Sequence, residues 1–369
     1  MVSIVIPHHS DRNLLYHCLN ALLPTISSNV EVIVVLNNAD VRELDVEMDG
    51  SRIEIIRVHE NLGSAGAYRL GIEKAKSDII VLLDNDAMVT PGWLEPLLDL
   101  LARHEKAAAV SAKMVNLSTG RIIDYGIAFT PYNAPHPFFD RPANFVLATK
   151  DRRVQAACSA AMAIRRSPYQ AVGGFSRPGT ANYNDIELCL KLNASGYQVW
   201  VSGLSLVYHK SSYPGAKVAP YKGHAQKADQ KGRFMADFGH LIRYDMEQYY
   251  EESFDYFKKL RRVRRDGFIL IDMSSVVNRP DYHTTIKKFL NISDIYSMPS
   301  FSRDDPHIDL LGRLPVDLVR NSAPLVYFVD RFVSLNNNTY WFLARGRSED
   351  LIVDRNCNIL SVLDLEAGA

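Results

Sequence analysis

Ile79-Ile80-Val81-Leu82-Leu83-Asp84-Asn85-Asp86 is an apolar run that ends abruptly in two carboxylates two residues apart. Five consecutive aliphatic residues fit a strand buried on both faces. Such an end is costly unless water, a cation or a ligand uses the charges. Two readings stand at this point. Asp84 and Asp86 solvate a strand end and cap a helix that starts at Thr90-Pro91, with Pro in its first turn, or they serve a cation or ligand.

Working outward, the same alternation of strand and helix recurs on both sides. Residues 2–6 form a short strand stopped by Pro7, and Leu15, Cys18, Leu19, Leu22 and Leu23 follow at helical spacing. Residues 30–36 and 53–58 are further apolar strands. The small-residue turn Asn61-Leu62-Gly63-Ser64-Ala65-Gly66-Ala67 leads into a helix through about residue 76. Its glycines do not have the Gly-x-Gly-x-x-Gly spacing of a dinucleotide fingerprint and do not follow the first strand. A helix over 91–104 and a strand over 107–111 continue the pattern. Strands alternating with helices call for a mostly parallel α/β sheet with helices on both faces, in which ligands bind at the carboxyl ends of the strands. Pro7-His8-His9, Asn37-Asn38 and Asp84-Asn85-Asp86 all fall at that rim.

Residues 120–153 are irregular and rich in Pro and aromatics, the composition of a binding loop or lid. Small and apolar residues return over 154–164, and Gly173-Gly174-Phe175 punctuates a turn. Asn184-Asp185-Ile186-Glu187-Leu188 opens a helix that Gly196 stops. By themselves Asn184 or Asp185 read as an N-cap and Glu187 as a first-turn carboxylate. His209, in Val207-Tyr208-His209-Lys210, reads alone as a structural histidine.

Taken in order, Ser3-Ile4-Val5-Ile6-Pro7, Asn61-Leu62-Gly63, Asp84-Asn85-Asp86, Gly173-Gly174-Phe175, Asn184-Asp185-Ile186-Glu187-Leu188 and His209 resemble the family 2 glycosyltransferases, whose fold is called GT-A. The resemblance covers about residues 1–212. It implies a nucleotide-sugar half over about 1–115 and an acceptor half over about 116–212. Asp86 then ligates a divalent metal, Mn²⁺ or Mg²⁺, with His209, while Asp84 lies near the ribose. Asp185 is the catalytic base, and Asn184 and Glu187 stand on the acceptor side. Pro7, His8, Asn37, Asn61, Gly63, Arg69 and Asn85 line the donor, a UDP- or dTDP-sugar. Three positions depart from the usual pattern: Asn37 for an Asp facing the base, Arg69 for an Asn, and Asn184 for a Glu.

The chemistry suits those residue types. Hard oxygen ligands hold a cation that offsets the charge of a leaving diphosphate, and carboxylates with one imidazole suit Mn²⁺ at least as well as Mg²⁺. An acceptor hydroxyl needs a base, and a carboxylate at a helix N-terminus is expected to stay ionised. The resemblance implies inversion at the anomeric carbon, onto a glycan, lipid-linked or small-molecule acceptor. A nucleotidyltransferase would favour a Gly-rich, basic phosphate loop after the first strand, which Pro7-His8-His9-Ser10 does not supply. A non-catalytic, carbohydrate-binding homologue would have no use for Asp84, Asp86, Asp185 and His209 together.

Composition narrows the setting. Lys plus Arg equals Asp plus Glu at 42 each, so no overall field draws the chain to nucleic acid or membrane. Four scattered cysteines without a Cys-x-x-Cys pair read as reduced thiols, and the start lacks a basic-then-apolar leader, so a cytoplasmic protein is expected. Residues 213–369 read as a helix followed by a strand-containing accessory domain, with strands over 268–277, 325–333, 340–344 and 358–363. Its role is acceptor recognition or self-association. The helix, over about 225–265, ends in Lys258-Lys259-Leu260-Arg261-Arg262-Val263-Arg264-Arg265. These cations either favour a helix C-terminus or seat the protein on the anionic inner face of a membrane.

Overall fold

The computed structural model describes residues 1–37, 53–130, 134–176, 183–210, 222–261, 268–272, 280–297, 324–329 and 349–361. They form two compact units, one of residues 1–129 with 142–243 and the other of 130–141 with 244–369. The helix over 222–238 thus clusters with the first unit.

In the first unit the elements run β1 (Val2–His8), α1 (Arg12–Leu22), β2 (Val30–Leu36), β3 (Ile53–Arg57), α2 (Gly63–Lys74), β4 (Ile79–Leu83), β5 (Ala87–Val89), α3 (Leu94–Arg103), β6 (Ala107–Asn116) and β7 (Ile122–Asp124). They continue with β8 (Arg152–Val154), β9 (Ala161–Arg165), α4 (Arg166–Ala171), α5 (Asn184–Ala194), β10 (Gln198–His209) and α6 (Lys222–Phe238). The ten-stranded sheet has the order β3-β2-β1-β4-β9-β6-β10-β5, with β7 beside β6 and β8 beside β10. Strands β3, β2, β1 and β4 are mutually parallel, and β6 and β10 are parallel to each other. β9 runs antiparallel between β4 and β6, so six strands share one direction. The fold is α/β with a mostly parallel central sheet.

Side-chain alternation along the strands divides the core. Ile4, Ile6, Val32 and Val34 pack with Leu15, Leu19 and Leu22 of α1 and Leu97 and Leu101 of α3. Val5 and Val35 point to the other face, where α2 lies so close that a Cβ at Gly71 would come 2.2 Å from Val5 Cγ1. Glycine at 71 therefore sets how deep α2 sits.

Local details depart from expectation in three places. Pro7 does not stop β1, which pairs with β2 as far as His8 but with β4 only to Val5. Pro7 thus lies where the β4 ladder has already ended and its missing N–H is tolerated. The helix expected at Thr90-Pro91 begins at Leu94, because β5 intervenes and pairs with β10. Asp84 and Asp86 are therefore not caps of that helix. The loop expected over 120–153 contains β7 and the start of β8.

The second unit holds α7 (Met246–Arg261), β11 (Phe268–Asp272), α8 (Pro280–Phe289), β12 (Ile292–Ser297), β13 (Leu325–Val329), β14 (Leu351–Asp354) and β15 (Ile359–Ser361). Its sheet has the order β12-β11-β13-β14-β15, parallel except for β15. The single helix expected over 225–265 is two, separated by a short 3₁₀ turn at Gly239–Leu241. β12 and β14 were not anticipated, and the strand expected over 340–344 lies outside the described residues, as do 262–265 of the basic stretch. Among the described residues no helix is long and apolar enough to cross a membrane, and all four cysteines are free thiols.

Candidate active site

The carboxyl ends of β4 and β10 bring Asp84, Asp86 and His209 together. Antiparallel pairing of β5 with β10 sets His209 opposite Ala87, one residue beyond Asp86. His209 Nε2 stands 3.1 Å from Asp86 Oδ1 and 3.7 Å from Asp84 Oδ2. One ligand atom from each residue lies within 4.8 Å of the other two. His209 Nε2 thus has Asp86 as its ion-pair partner, while Nδ1 is buried without a hydrogen-bond partner among the described residues.

This donor set fits a divalent cation. Adjacent ligands of a small cation bonded at ~2.1 Å lie ~3 Å apart, close to the His209–Asp86 separation. Burial disfavours charge on the imidazole, but the two carboxylates outweigh it and raise its pKa to about 10. Burial also works against ionisation of Asp86, and His209 more than offsets it, so the net shift is downward. Without a cation, the imidazolium serves as the counter-charge.

Asp84 is held from two sides. Its N–H donates to Ala160 O at 2.9 Å, and its Oδ1 accepts the Tyr68 hydroxyl at 2.7 Å. Next to Ala160, the N–H of Ser159 favours charge on the carboxylate of Asp185, which accepts Ile186 N–H at 2.8 Å. Consecutive residues of one loop therefore bond Asp84 and influence Asp185. The Cys158 thiol lies on the same loop. Burial pushes its pKa well up, and the charges of Asp185, Asp124 and Asp84 push it further.

Asp185 is the second residue of α5, as expected, but the residue preceding the helix is Tyr183 with φ 68°, and no side chain caps it. The Tyr183 ring stacks on Phe234 of α6 at 4.9 Å, bracing this turn. The helix terminus is not the largest influence on Asp185. Burial raises its pKa, the nearby charge of Asp124 adds to this, and the backbone N–H groups only partly counter it. The result is a more basic carboxylate.

Glu187 is buried and turned away from that carboxylate's loop. Its Oε1 accepts Ser176 N–H and the Lys191 ammonium, both at 3.2 Å, while Lys191 also donates to Gly174 O and Ser176 Oγ. The pair clasps the Gly173-Gly174 turn to α5. Asn184 is buried at the first residue of α5.

At the carboxyl end of β2 the Asn37 side chain is engaged within the chain. Its amide donates to Asn61 Oδ1 and Gly63 O and accepts Leu62 N–H at 2.8 Å, which uses both its donors. Asn61 Oδ1 also accepts Gly63 N–H, folding a tight turn in which Gly63 has φ 70°. The exposed His9 ring lies over this clasp, 3.3 Å from Asn37 O and 3.4 Å from Asn61 Nδ2. Buried His8 meets Asn85 Nδ2 through Nδ1 at 2.9 Å, and burial lowers its pKa. Arg69 is exposed on α2. Sequence reasoning missed Tyr68 and the loop at Cys158-Ser159-Ala160. The run of small residues from Ala156 to Ala161 was a legible signal of close backbone approach, whereas nothing local marks Tyr68.

Residues 3–173 match the family model described as Glycosyl transferase family 2. The chain is 28% identical over 257 residues to the uncharacterized protein y4gI of Sinorhizobium fredii, covering 66% of this chain and 27% of that protein. It is 27% identical over 233 residues to the O-antigen biosynthesis protein RfbC of Myxococcus xanthus, covering 59% of this chain and 18% of RfbC. The chain thus spans under a third of the length of either relative. Among solved structures, GalNAc-T7 with UDP, GalNAc and Mn²⁺ aligns with a TM-score of 0.46 at 16% identity, covering 56% of this chain and 43% of that one.

Proposed function

We propose that this chain, which over residues 3–173 belongs to glycosyl transferase family 2, is a metal-dependent, inverting transferase that moves a sugar from a nucleoside-diphosphate donor to a hydroxyl acceptor. The observation that carries the reading is the convergence of Asp84, Asp86 and His209 at the carboxyl rim of the sheet. Asp185 is tied to the same loop as Asp84. Asp86 and His209 hold a divalent cation, with Mn²⁺ favoured by the mixed carboxylate and imidazole set. When bound, such a cation offsets the charge gathering on the leaving diphosphate.

The residues of the chain do the rest. Asp84, beside the cation ligands, faces the ribose side of the donor. The Asn37-Asn61-Gly63 clasp shapes the donor rim, so a nucleobase is met by the exposed His9 ring and by backbone rather than by an amide at position 37. Asp185 takes the acceptor proton as the acceptor oxygen bonds to the anomeric carbon. The bond from that carbon to the diphosphate oxygen breaks with its electron pair on the oxygen. Burial makes Asp185 a stronger base for this step. Glu187 serves by fixing α5, and with it Asp185. The similarity to an O-antigen biosynthesis protein favours a bacterial surface glycan as the product, and the donor is a UDP- or dTDP-sugar.

A thermal-shift panel of nucleoside diphosphates, each with and without Mn²⁺, tests the reading. Stabilisation by UDP or dTDP only when Mn²⁺ is present is the expected result. Equal shifts without metal, or none with any nucleotide, would overturn it.

A further inference from the structure

Two aspartates at one strand end are chemically alike, yet among the described residues only Asp84 has a buried hydroxyl on one of its oxygens. The Tyr68 hydroxyl donates to Asp84 Oδ1 at 2.7 Å, and the Tyr68 side chain is 2% exposed. The other oxygen of Asp84, Oδ2, is the one that looks toward His209, at 3.7 Å. That distance is beyond a hydrogen bond, whereas Asp86 Oδ1 comes to 3.1 Å. Asp84 is therefore restrained from closing on the imidazole.

The helix that delivers the hydroxyl is itself fixed. Tyr68 and Gly71 are three residues apart on α2 and so share a face. Gly71 lets that face press against Val5 and Val35, where any side chain would collide. The Tyr68 ring is further packed against Phe175 at 6.2 Å, and Phe175 meets Tyr169 edge-on at 5.7 Å. The Gly173-Gly174-Phe175 turn thus buttresses a residue that reaches the strand end.

We propose that Tyr68 is a positioning residue of the cation site: by holding Asp84 Oδ1 it keeps the carboxylate from collapsing onto His209 and so leaves the imidazole open to a cation. This rests on the transferase reading of the same cluster. Without the hydroxyl, Asp84 is free to swing toward the His209 ring, and a cation must then displace a closer contact.

The test is Mn²⁺ binding to the full chain in the absence of nucleotide, by titration calorimetry or by the spin-resonance signal of free Mn²⁺. Tyr68→Phe keeps the ring and its packing. We expect it to bind Mn²⁺ about tenfold more weakly, the scale of one hydrogen bond to a charged group, with little change in thermal midpoint. A double-mutant cycle separates positioning from simple packing. In an Asp84→Asn background the added Tyr68→Phe change should no longer weaken binding. Native affinity in Tyr68→Phe, or an undiminished effect in the Asp84→Asn background, would overturn the role of Tyr68 and leave the transferase reading intact. Failure of the native protein to bind Mn²⁺ would overturn both.

Discussion

Replacing Asp185 by Asn separates chemistry from folding, and the structure supplies the terms. The carboxylate accepts the N–H of Ile186, and the N–H of Ser159 favours its charge. Asn retains one oxygen to accept, while its amide nitrogen faces a donor, so about one hydrogen bond of ~1 kcal/mol is lost. The charge term has the opposite sign. Burial, with Asp124, raises the folded-state pKa above its ordinary 3.8. An acid shifted this way is destabilised when ionised, so it costs the fold stability at neutral pH, and that cost fades as pH falls through the folded value toward the unfolded one. Removing the charge relieves the cost. The two terms oppose each other, and the thermal midpoint at pH 7 is expected to stay within about 5 °C of native. Loss of a general base, by contrast, lowers turnover by roughly 10²–10⁴. The assay is release of nucleoside diphosphate with acceptor and Mn²⁺ saturating, run beside thermal unfolding and donor calorimetry. A variant that binds donor normally and turns over within about tenfold of native would refute the assignment of Asp185.

Glu187→Ala removes the acceptor of Ser176 N–H and the counter-charge of Lys191. It is expected to lower stability by ~1–3 kcal/mol in denaturant titration and to reduce kcat more than it raises acceptor KM, the reverse of what a direct acceptor contact requires. Gly71→Ala forces a Cβ to within 2.2 Å of Val5 Cγ1. Overpacking of this kind costs ~1–3 kcal/mol, and native stability in that variant would contradict the described packing of α2. Lys113 is buried on β6 and donates to Ala148 O and Gly203 O, and desolvation lowers its pKa to about 8. A base depressed on folding makes the fold gain stability as pH rises from about 8 toward the ordinary 10.5. Unfolding midpoints of the native protein should therefore rise over that window relative to Lys113→Met, and parallel curves would count against the shift.

Much of the α/β order was legible because periodicity is a local property. Continuous apolar runs at 32–36 and 79–83 and the helical spacing of Leu15, Cys18, Leu19 and Leu22 predict β2, β4 and α1 close to where they lie. Gly196 stops α5 with φ 85°, as a glycine C-terminal to a helix should. The strand β5 was hidden because three residues pair only through a partner more than a hundred positions away, at Val207–His209. For the same reason the antiparallel β9 inside a parallel sheet has no signature of its own.

The sequence by itself determined that polar groups gather at the carboxyl ends of the parallel strands, and it named Asp84, Asp86, Asp185 and His209 as the groups to watch. Tertiary structure alone decided their environments. It joined His209 to Asp86, gave Asp84 to Tyr68 and to the loop at Ala160, and spent the Asn37 amide on the 61–63 turn. It also made Asp185 more basic than a helix N-terminus suggests. Spacing along a chain fixes which face of an element a side chain occupies. Desolvation and hydrogen-bond partners depend on which elements meet there, and they exist only once the sheet has assembled.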